Sequence, residues 1–130
     1  MVLTNYRQLI DAALAARKQA YAPYSGLRVG AALLCSDGEI ITGVNIENAS
    51  YGATNCAERT AVFKAVSQGK REFAAIAVVS DMDRLIYPCG ICRQVLAEFR
   101  VSTIIVGDVN GNYKVYGAEE LLPCAFTEFD

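Results

Sequence analysis

Near its start the chain carries apolar residues at the three- and four-residue spacing of an amphipathic helix. This spacing predicts a helix over residues about 5–20, with Thr4 as its N-cap. The predicted apolar face consists of Leu9, Ile10, Ala13, Leu14, Ala20 and Tyr21. The segment 22–26, Ala-Pro-Tyr-Ser-Gly, ends the helix, because proline and glycine interrupt regular structure.

Two strand-like segments follow, and the turn between them predicts a hairpin. Residues 29–35 and 39–44 are rich in apolar side chains, and Ser36, Asp37 and Gly38 separate them. Residues 45–55 are polar and irregular, which is typical of a binding loop. A second helix is predicted from Cys56 to Gln68, with Gly69 in the position that commonly follows a helix end.

The second half of the chain alternates buried strands with helices. We predict strands at 74–79, 101–106 and 113–115, the last after an Asn110-Gly111 turn, and helices at 89–99 and 118–122. Helices interleaved with buried strands indicate an α/β layered domain. The length of 130 residues is that of one domain, so we expect residues 1–130 to form a single unit.

Composition narrows the class of protein. Hydrophobic residues make up 53% of the chain and charged residues 20%, which is a globular composition with enough apolar residues to cover a subunit interface as well as a core. The net charge is -2 and no basic stripe is present, which argues against a nucleic-acid partner. No apolar run approaches the roughly 18 residues of a membrane span, and no signal peptide is evident, so the expected location is cytoplasmic.

Five cysteines and the complete absence of histidine direct attention to thiol chemistry. An odd number of cysteines without a secretion signal favours metal or catalytic thiols over disulfides. The lack of histidine excludes Ser-His and Cys-His catalysis and any metal site with imidazole ligands. Proton transfer near neutral pH must then come from a carboxylate, a thiol or a metal-bound water.

The cysteine spacing predicts a catalytic zinc site on Cys56, Cys89 and Cys92. Cys89 and Cys92 form a C-x-x-C element at a helix start, so both sulfurs can reach one ion, and Cys56 opens the other helix. Helix N-termini favour thiolate over thiol. Three thiolates leave one tetrahedral position open, as in catalytic sites. Glu58, two residues after Cys56, is the predicted proton carrier for hydrolytic attack at an electron-poor carbon.

Each of these residues also has a plainer interpretation. Asn55 and Glu58 fit a capping box, and Cys56 could be a small buried side chain.

Three thiolates around Zn²⁺ carry a net charge of about -1, so a nearby cation is expected. Arg59 is the favoured candidate, and Arg93 is equally well explained as a solvated helix residue. Cys35 and Cys124 are expected to be structural.

The motifs resemble those of the zinc-dependent cytidine deaminases of the short, single-domain type, over nearly the whole chain. The resemblance lies in residues 20–25 (AYAPYS), 29–33 (VGAAL), 45–48 (NIEN), 56–61 (CAERTA), 88–94 (PCGICRQ) and 119–123 (EELLP) with Phe126. It implies a three-layer α/β/α fold with a five-stranded mixed sheet. It also implies one zinc ion per subunit and a homotetramer with shared active sites.

The resemblance further implies an activity in pyrimidine salvage, the hydrolytic deamination of cytidine and 2′-deoxycytidine. Zinc-bound hydroxide would attack C4 of cytosine while Glu58 shuttles the protons. Asn45 and Glu47 would hold the ribose 3′-hydroxyl, the backbone at Ala57 and Cys89 would orient the base, and Tyr51 and Phe126 would reach a neighbouring subunit's site. Leu27 stands where the family usually has phenylalanine. Leucine loses the ring stacking of phenylalanine but keeps an apolar wall.

Two other functions stay open at this point. The first is a deaminase of another cytosine compound, such as a cytosine-bearing antibiotic or a base in a nucleic acid. The acidic composition argues against a nucleic-acid substrate and the ribose motif against an antibiotic. The second is a non-enzymatic zinc or redox protein, which predicts a fourth protein ligand or reversible oxidation of Cys89 and Cys92.

Overall fold

The described part of the chain, residues 6–127 of a computed structural model, folds into four helices and five strands. The helices are α1 (Tyr6–Ala16), α2 (Ala57–Ser67), α3 (Gly90–Glu98) and α4 (Ala118–Leu121). The strands are β1 (Val29–Cys35), β2 (Ile40–Val44), β3 (Phe73–Ser80), β4 (Thr103–Gly107) and β5 (Tyr113–Gly117). The predicted N-cap Thr4 lies outside the described residues. No helix within 6–127 is long and apolar enough to span a membrane.

The five strands form one mixed sheet in the order β2-β1-β3-β4-β5. β3 and β4 are parallel, and every other neighbouring pair is antiparallel. The continuous apolar run of β3 suits its central place, because both faces of that strand are covered. The expected five-stranded mixed sheet is therefore confirmed.

Helices cover both faces of the sheet, which confirms the three-layer α/β/α arrangement. Along β1 the side chains alternate, with Ala32 and Leu34 in the cluster under α1 and Leu33 in the cluster on the opposite face. The α1 cluster includes Leu9, Ile10 and Ala13. The opposite cluster packs α2, α3 and α4 against the sheet, and it is the layer that carries the cysteine motifs.

The first helix ends earlier than its apolar pattern predicts. α1 stops at Ala16, a 3₁₀ turn spans Arg17–Gln19, and Ala20 is extended. Tyr21 donates its backbone N–H to the carbonyl of Asn45 at 3.0 Å and is 56% exposed. The prediction that Ala20 and Tyr21 continue the helical face is wrong, because this backbone pairing draws the chain out of the helix.

The loop over 45–55 is more ordered than its polar composition predicts. Ile46 forms bridges with Tyr21 on one side and Asn55 on the other, and Tyr51–Ala53 form a 3₁₀ turn. The loop is thus tied by its backbone both to the segment that follows α1 and to the start of α2.

Helix α2 is positioned by its close approach to the sheet. A Cβ atom added at Gly43 of β2 would lie 2.4 Å from the nitrogen of Ala61 and 2.5 Å from the carbonyl oxygen of Ala57. Ala57 and Ala61 are themselves small and fully buried, so α2 rests almost directly on the backbone of β2. The lack of a side chain at Gly43 therefore determines how closely α2, the helix that follows Cys56, approaches β2.

Candidate metal centre and its cavity

Two helices begin at the candidate site, and each begins at a cysteine. Cys56 is the N-cap residue of α2, and Cys89 is the N-cap residue of α3. Cys92 lies in the first turn of α3 and is fully buried. Pro88 precedes Cys89 and keeps the chain extended before the helix. The positive ends of both helix dipoles are therefore directed at the same small region.

The three cysteine sulfurs have the spacing that a zinc ion requires. The Sγ atoms of Cys56, Cys89 and Cys92 all lie within 4.8 Å of one another, and those of Cys56 and Cys89 are 3.7 Å apart. Tetrahedral Zn²⁺ with Zn–S bonds of about 2.3 Å places two ligand sulfurs about 3.8 Å apart. Within residues 6–127 no fourth metal-binding side chain joins this group. The donor set therefore fits zinc with one coordination position left for a substrate or water.

Arg59, the cation expected beside this cluster, lies in contact with Cys56. Its Nη2 donates to the sulfur of Cys56 at 3.1 Å. The pKa of Cys56 is lowered to about 5, first by a hydrogen bond from the Cys92 thiol and then by Arg59. The buried Nε of Arg59 has no hydrogen-bond partner among the described residues. Because the Arg59 guanidinium donates to the Cys56 sulfur, it stabilises the thiolate form of Cys56.

Arg93, the other candidate cation, bonds to the backbone and not to the cysteine sulfurs. Its Nε donates to the carbonyl of Pro88 at 2.7 Å, and its Nη1 donates to the carbonyl of Leu121 at 2.8 Å. Arg93 is partly buried, and both bonds go to backbone carbonyls. It ties the loop before Cys89 to the end of α4.

Glu58 is a buried carboxyl next to the sulfur cluster. It is 4% exposed, and burial raises its pKa to about 7, assisted by the nearby charge of Cys56. The capping-box interpretation is wrong, because Cys56 and not Asn55 is the N-cap residue and no side chain caps α2. Asn55 instead donates to the hydroxyl of Thr60 at 3.1 Å. Glu58 is therefore free of a capping role.

A cavity of about 300 Å³ opens beside the cysteines and is lined by Cys56, Glu58 and Cys89. Its walls include Leu27, Asn45, Glu47 and Ala57. This volume lies at the lower end of the range for small-molecule sites. Two of the three cysteines, the buried carboxyl and the residues predicted to hold a sugar thus line one cavity.

Asn45 and Glu47 hold the segment 24–29 across this cavity. Asn45 is buried; its Oδ1 accepts from the backbone N–H of Val29 at 2.9 Å and its Nδ2 donates to the carbonyl of Leu27 at 2.8 Å. Glu47 accepts from the backbone N–H groups of Tyr24 and Ser25 and from the Ser25 hydroxyl. Sequence reasoning did not predict these partners.

Tyr51 and Phe126 lie outside this cavity. Tyr51 is 78% exposed, makes an edge-to-face contact with Tyr24 and lines a neighbouring cavity that shares Ser25 and Glu47. Phe126 is 63% exposed, and its backbone N–H and carbonyl are both bonded by the Gln94 side chain. The structure therefore does not bring these two rings into their own chain's site.

Several lining residues were not predicted. They are Ser25, Val29, Thr54, Asn55, Ile86 and Tyr87. The Pro23-Tyr24-Ser25-Gly26 turn was the available signal for Ser25, and adjacency to Pro88-Cys89 was the signal for Tyr87. Of the remaining cysteines, Cys35 is buried in the core as expected, whereas Cys124 is exposed and contributes no core packing.

Comparisons with known proteins agree with this geometry. A family model for the cytidine and deoxycytidylate deaminase zinc-binding region matches residues 3–108. A cytidine deaminase from Halalkalibacterium halodurans is 54% identical over 126 residues, covering 95% of this chain and 96% of that protein. The crystal structure of cytidine deaminase from Burkholderia pseudomallei has a TM-score of 0.90 at 50% identity, covering 95% of this chain and all of that one. A blasticidin-S deaminase from Bacillus cereus is 35% identical over 107 residues, 76% of each chain.

Proposed function

The chain belongs to the cytidine and deoxycytidylate deaminase family, and from this premise we propose that it hydrolyses cytidine and 2′-deoxycytidine to uridine and 2′-deoxyuridine with release of ammonia. This is a reaction of pyrimidine salvage. One observation carries the proposal: three cysteine sulfurs lie at zinc-ligand spacing, and two of those cysteines, Cys56 and Cys89, line a cavity of about 300 Å³ together with the buried Glu58 and with Asn45 and Glu47.

Cys56, Cys89 and Cys92 would hold the metal. Bound zinc acts as a Lewis acid that lowers the pKa of a coordinated water towards about 7. The helix N-terminus at Cys56 and the guanidinium of Arg59 favour, at that sulfur, the thiolate form that metal binding needs.

Glu58 is the proton carrier in this proposal. It takes a proton from the attacking water and passes it to ring N3 as the new C4–O bond forms. It then takes the remaining proton from the new C4 hydroxyl and delivers it to the amino group; the C4–N bond breaks as the C4 carbonyl forms, and ammonia leaves. A carboxyl whose pKa lies near 7 because of burial can both accept and return a proton at neutral pH.

The start of α2 and the wall at Leu27 would orient the base. Ala57 is the first residue of α2, so its backbone N–H has no partner within the helix and can donate to a ligand, and the backbone at Cys89 can act in the same way at α3. Leu27 presents an apolar side chain to the cavity, where the ring faces of the base need contact without hydrogen bonds.

Asn45 and Glu47 would bind the sugar 3′-hydroxyl. Each Asn45 amide atom makes one bond to the segment 27–29, which leaves one Nδ2 hydrogen to donate. Glu47 Oε1 already accepts two backbone N–H groups, whereas Oε2 accepts only the Ser25 hydroxyl and keeps a lone pair. One donor and one acceptor match a hydroxyl that both ribose and 2′-deoxyribose possess.

We further propose that the protein works as a homotetramer with shared active sites. Large exposed side chains support this, among them Tyr21, Tyr51, Ile91 and Phe126 at 56%, 78%, 62% and 63% exposure. Tyr51 and Phe126 do not line their own chain's cavity, which fits a contribution to a neighbour's site. Light scattering at micromolar concentration should give the mass of four chains, and a monomer would contradict the proposal.

The proposed setting is the cytoplasm, with residues 1–130 acting as one domain. The three thiolates need a reducing compartment in order to stay available for zinc. A single five-stranded sheet carries both helical layers, so we expect one cooperative unfolding transition in calorimetry. Two separate transitions would contradict the single-domain proposal.

A competition assay tests the function against its alternatives. Zinc-loaded protein should convert cytidine and 2′-deoxycytidine with loss of absorbance. Free cytosine, blasticidin S and a cytosine-containing oligonucleotide should be poor substrates and weak inhibitors. Faster turnover of the antibiotic than of either nucleoside would instead support the other deaminase function. Inertness to all of them in zinc-loaded protein would support a non-enzymatic zinc protein.

A further inference from the structure

The Ser25 side chain bonds Glu47 directly and is linked to Asn45 through the backbone of Leu27. We propose that Ser25 is a positioning residue that orients the Glu47 carboxylate and thereby sets the affinity for nucleosides carrying a 3′-hydroxyl. This inference rests on the proposed function and adds a specificity-determining residue to it.

The Ser25 hydroxyl makes one hydrogen bond as a donor and one as an acceptor. The Ser25 hydroxyl donates to Oε2 of Glu47, and its oxygen accepts the backbone N–H of Leu27 at 3.0 Å. A serine hydroxyl has a single hydrogen, so Oε2 is the acceptor that receives it. The carboxylate therefore loses one lone pair of Oε2 to Ser25, and the remaining one has a defined direction.

Backbone groups of the same turn complete the carboxylate's environment. Oε1 of Glu47 accepts the N–H of Tyr24 at 2.9 Å and that of Ser25 at 3.1 Å. These bonds lower the pKa of Glu47, the Ser25 hydroxyl bond most of all, so the carboxylate is ionised at neutral pH. Only the second lone pair of Oε2 is then left for a sugar hydroxyl.

The same chain of bonds reaches Asn45. Leu27 donates its N–H to Ser25, and its carbonyl accepts from Nδ2 of Asn45 at 2.8 Å. Glu47, Ser25, Leu27 and Asn45 are thus linked in sequence by hydrogen bonds, and all four line the cavity. Ser25 is the only member of this set whose side chain can be shortened without removing a proposed sugar contact or the apolar wall.

A purely local role makes a different prediction. If Ser25 only stabilises the turn through its bond to Leu27, its loss loosens the whole wall and affects every nucleoside alike. If it acts through Glu47, its loss affects only nucleosides that use Glu47. The sugar is remote from the reacting C4 atom, so we expect the effect to fall on KM more than on kcat.

The test compares Ser25→Ala with three substrates: cytidine, 2′-deoxycytidine and 3′-deoxycytidine. We expect KM for the first two to rise about 10-fold, the scale of one weakened charge-assisted hydrogen bond, with kcat within about twofold. KM for 3′-deoxycytidine should stay within about twofold. Ser25→Thr, which keeps the hydroxyl, should restore the low KM. Ser67→Ala is the matched control, since that exposed serine donates only to a helix carbonyl.

A double-mutant cycle isolates the route through Glu47. In a Glu47→Gln background, Ser25→Ala should change KM for cytidine by less than about twofold, because the oriented carboxylate is already gone. Equal losses with all three substrates, additive effects in the cycle, or an unchanged KM in Ser25→Ala would overturn the positioning role alone. A zinc-loaded wild-type protein that does not deaminate cytidine would overturn the proposed function, and this inference with it.

Discussion

The contact between Gly43 and α2 allows a test of how tightly the sheet positions the metal site. Substitution of Gly43 by alanine places a methyl group 2.4 Å from the nitrogen of Ala61 and 2.5 Å from the carbonyl oxygen of Ala57. Ordinary contacts begin near 3.4 Å, so α2 must move away from β2 by about 1 Å. Both opposing atoms are helix backbone, so no side-chain rotation can relieve the clash.

The displacement should be far more costly for activity than for folding. Overpacking of this kind lowers the free energy of unfolding by about 1–3 kcal/mol. Because Cys56 is the N-cap of α2, the same movement shifts its sulfur relative to that of Cys89, which lies 3.7 Å away at the start of α3. Misplacing a reacting group by about 1 Å lowers kcat by about 100-fold.

The assay measures kcat on cytidine and zinc per chain after dialysis against a weak chelator. Gly52→Ala adds the same methyl group where no atom lies within 4 Å, and it should match wild type. Ile10→Val, in the layer on the other side of the sheet, should lose about 1 kcal/mol of stability while keeping zinc and kcat. If Gly43→Ala keeps full zinc and kcat within about twofold of wild type, the reasoning about helix depth is refuted.

Three further predictions follow from single contacts. Arg59→Met should weaken zinc binding about 10- to 100-fold in a chelator competition, because the guanidinium bonded to Cys56 is lost; unchanged affinity would contradict this. Arg93→Met should keep zinc but lower the melting temperature by about 3–10 °C, because the bonds to Pro88 and Leu121 are lost; loss of zinc with an unchanged melting temperature would count against it. Bonds from Asn112 hold the pKa of Asp108 below its usual value. The ionised Asp108 carboxylate therefore stabilises the folded protein above about pH 4, and this stabilisation is lost as the pH falls through the lower, folded-state pKa. The melting-temperature difference between wild type and Asp108→Asn should therefore shrink below about pH 4, and a difference that grows there would contradict the sign.

Most of the fold could be predicted from the sequence, because its elements carry strong local signals. β1 is bounded by a turn of Ser36, Asp37 and Gly38, and its side chains all pack in one of two cores. α2 ends before Gly69, which adopts a φ of 89° that glycine accommodates without strain. The cysteine pattern was equally informative, since residues three apart at a helix start must share a face.

What the sequence did not predict depends on contacts between distant residues. α1 ends early because Tyr21 pairs with the backbone of Asn45, a partner that no helical periodicity encodes. Asn45 and Glu47 were predicted to contact a sugar, yet their partners within the chain lie 16 to 23 residues away and become visible only in three dimensions. Arg93 has two backbone acceptors on separate elements, which adjacency to Cys92 could not reveal.

The most direct test of the proposed chemistry is kcat on cytidine for zinc-loaded Glu58→Gln beside wild type. Glutamine keeps the shape of the buried side chain and removes its ability to carry a proton. Both proteins should hold one zinc ion per chain, and the variant should be slower by about 10²–10⁴-fold, the usual contribution of a positioned acid-base group. A variant that holds zinc and turns over cytidine at the wild-type rate would contradict the assignment of Glu58 as the proton carrier.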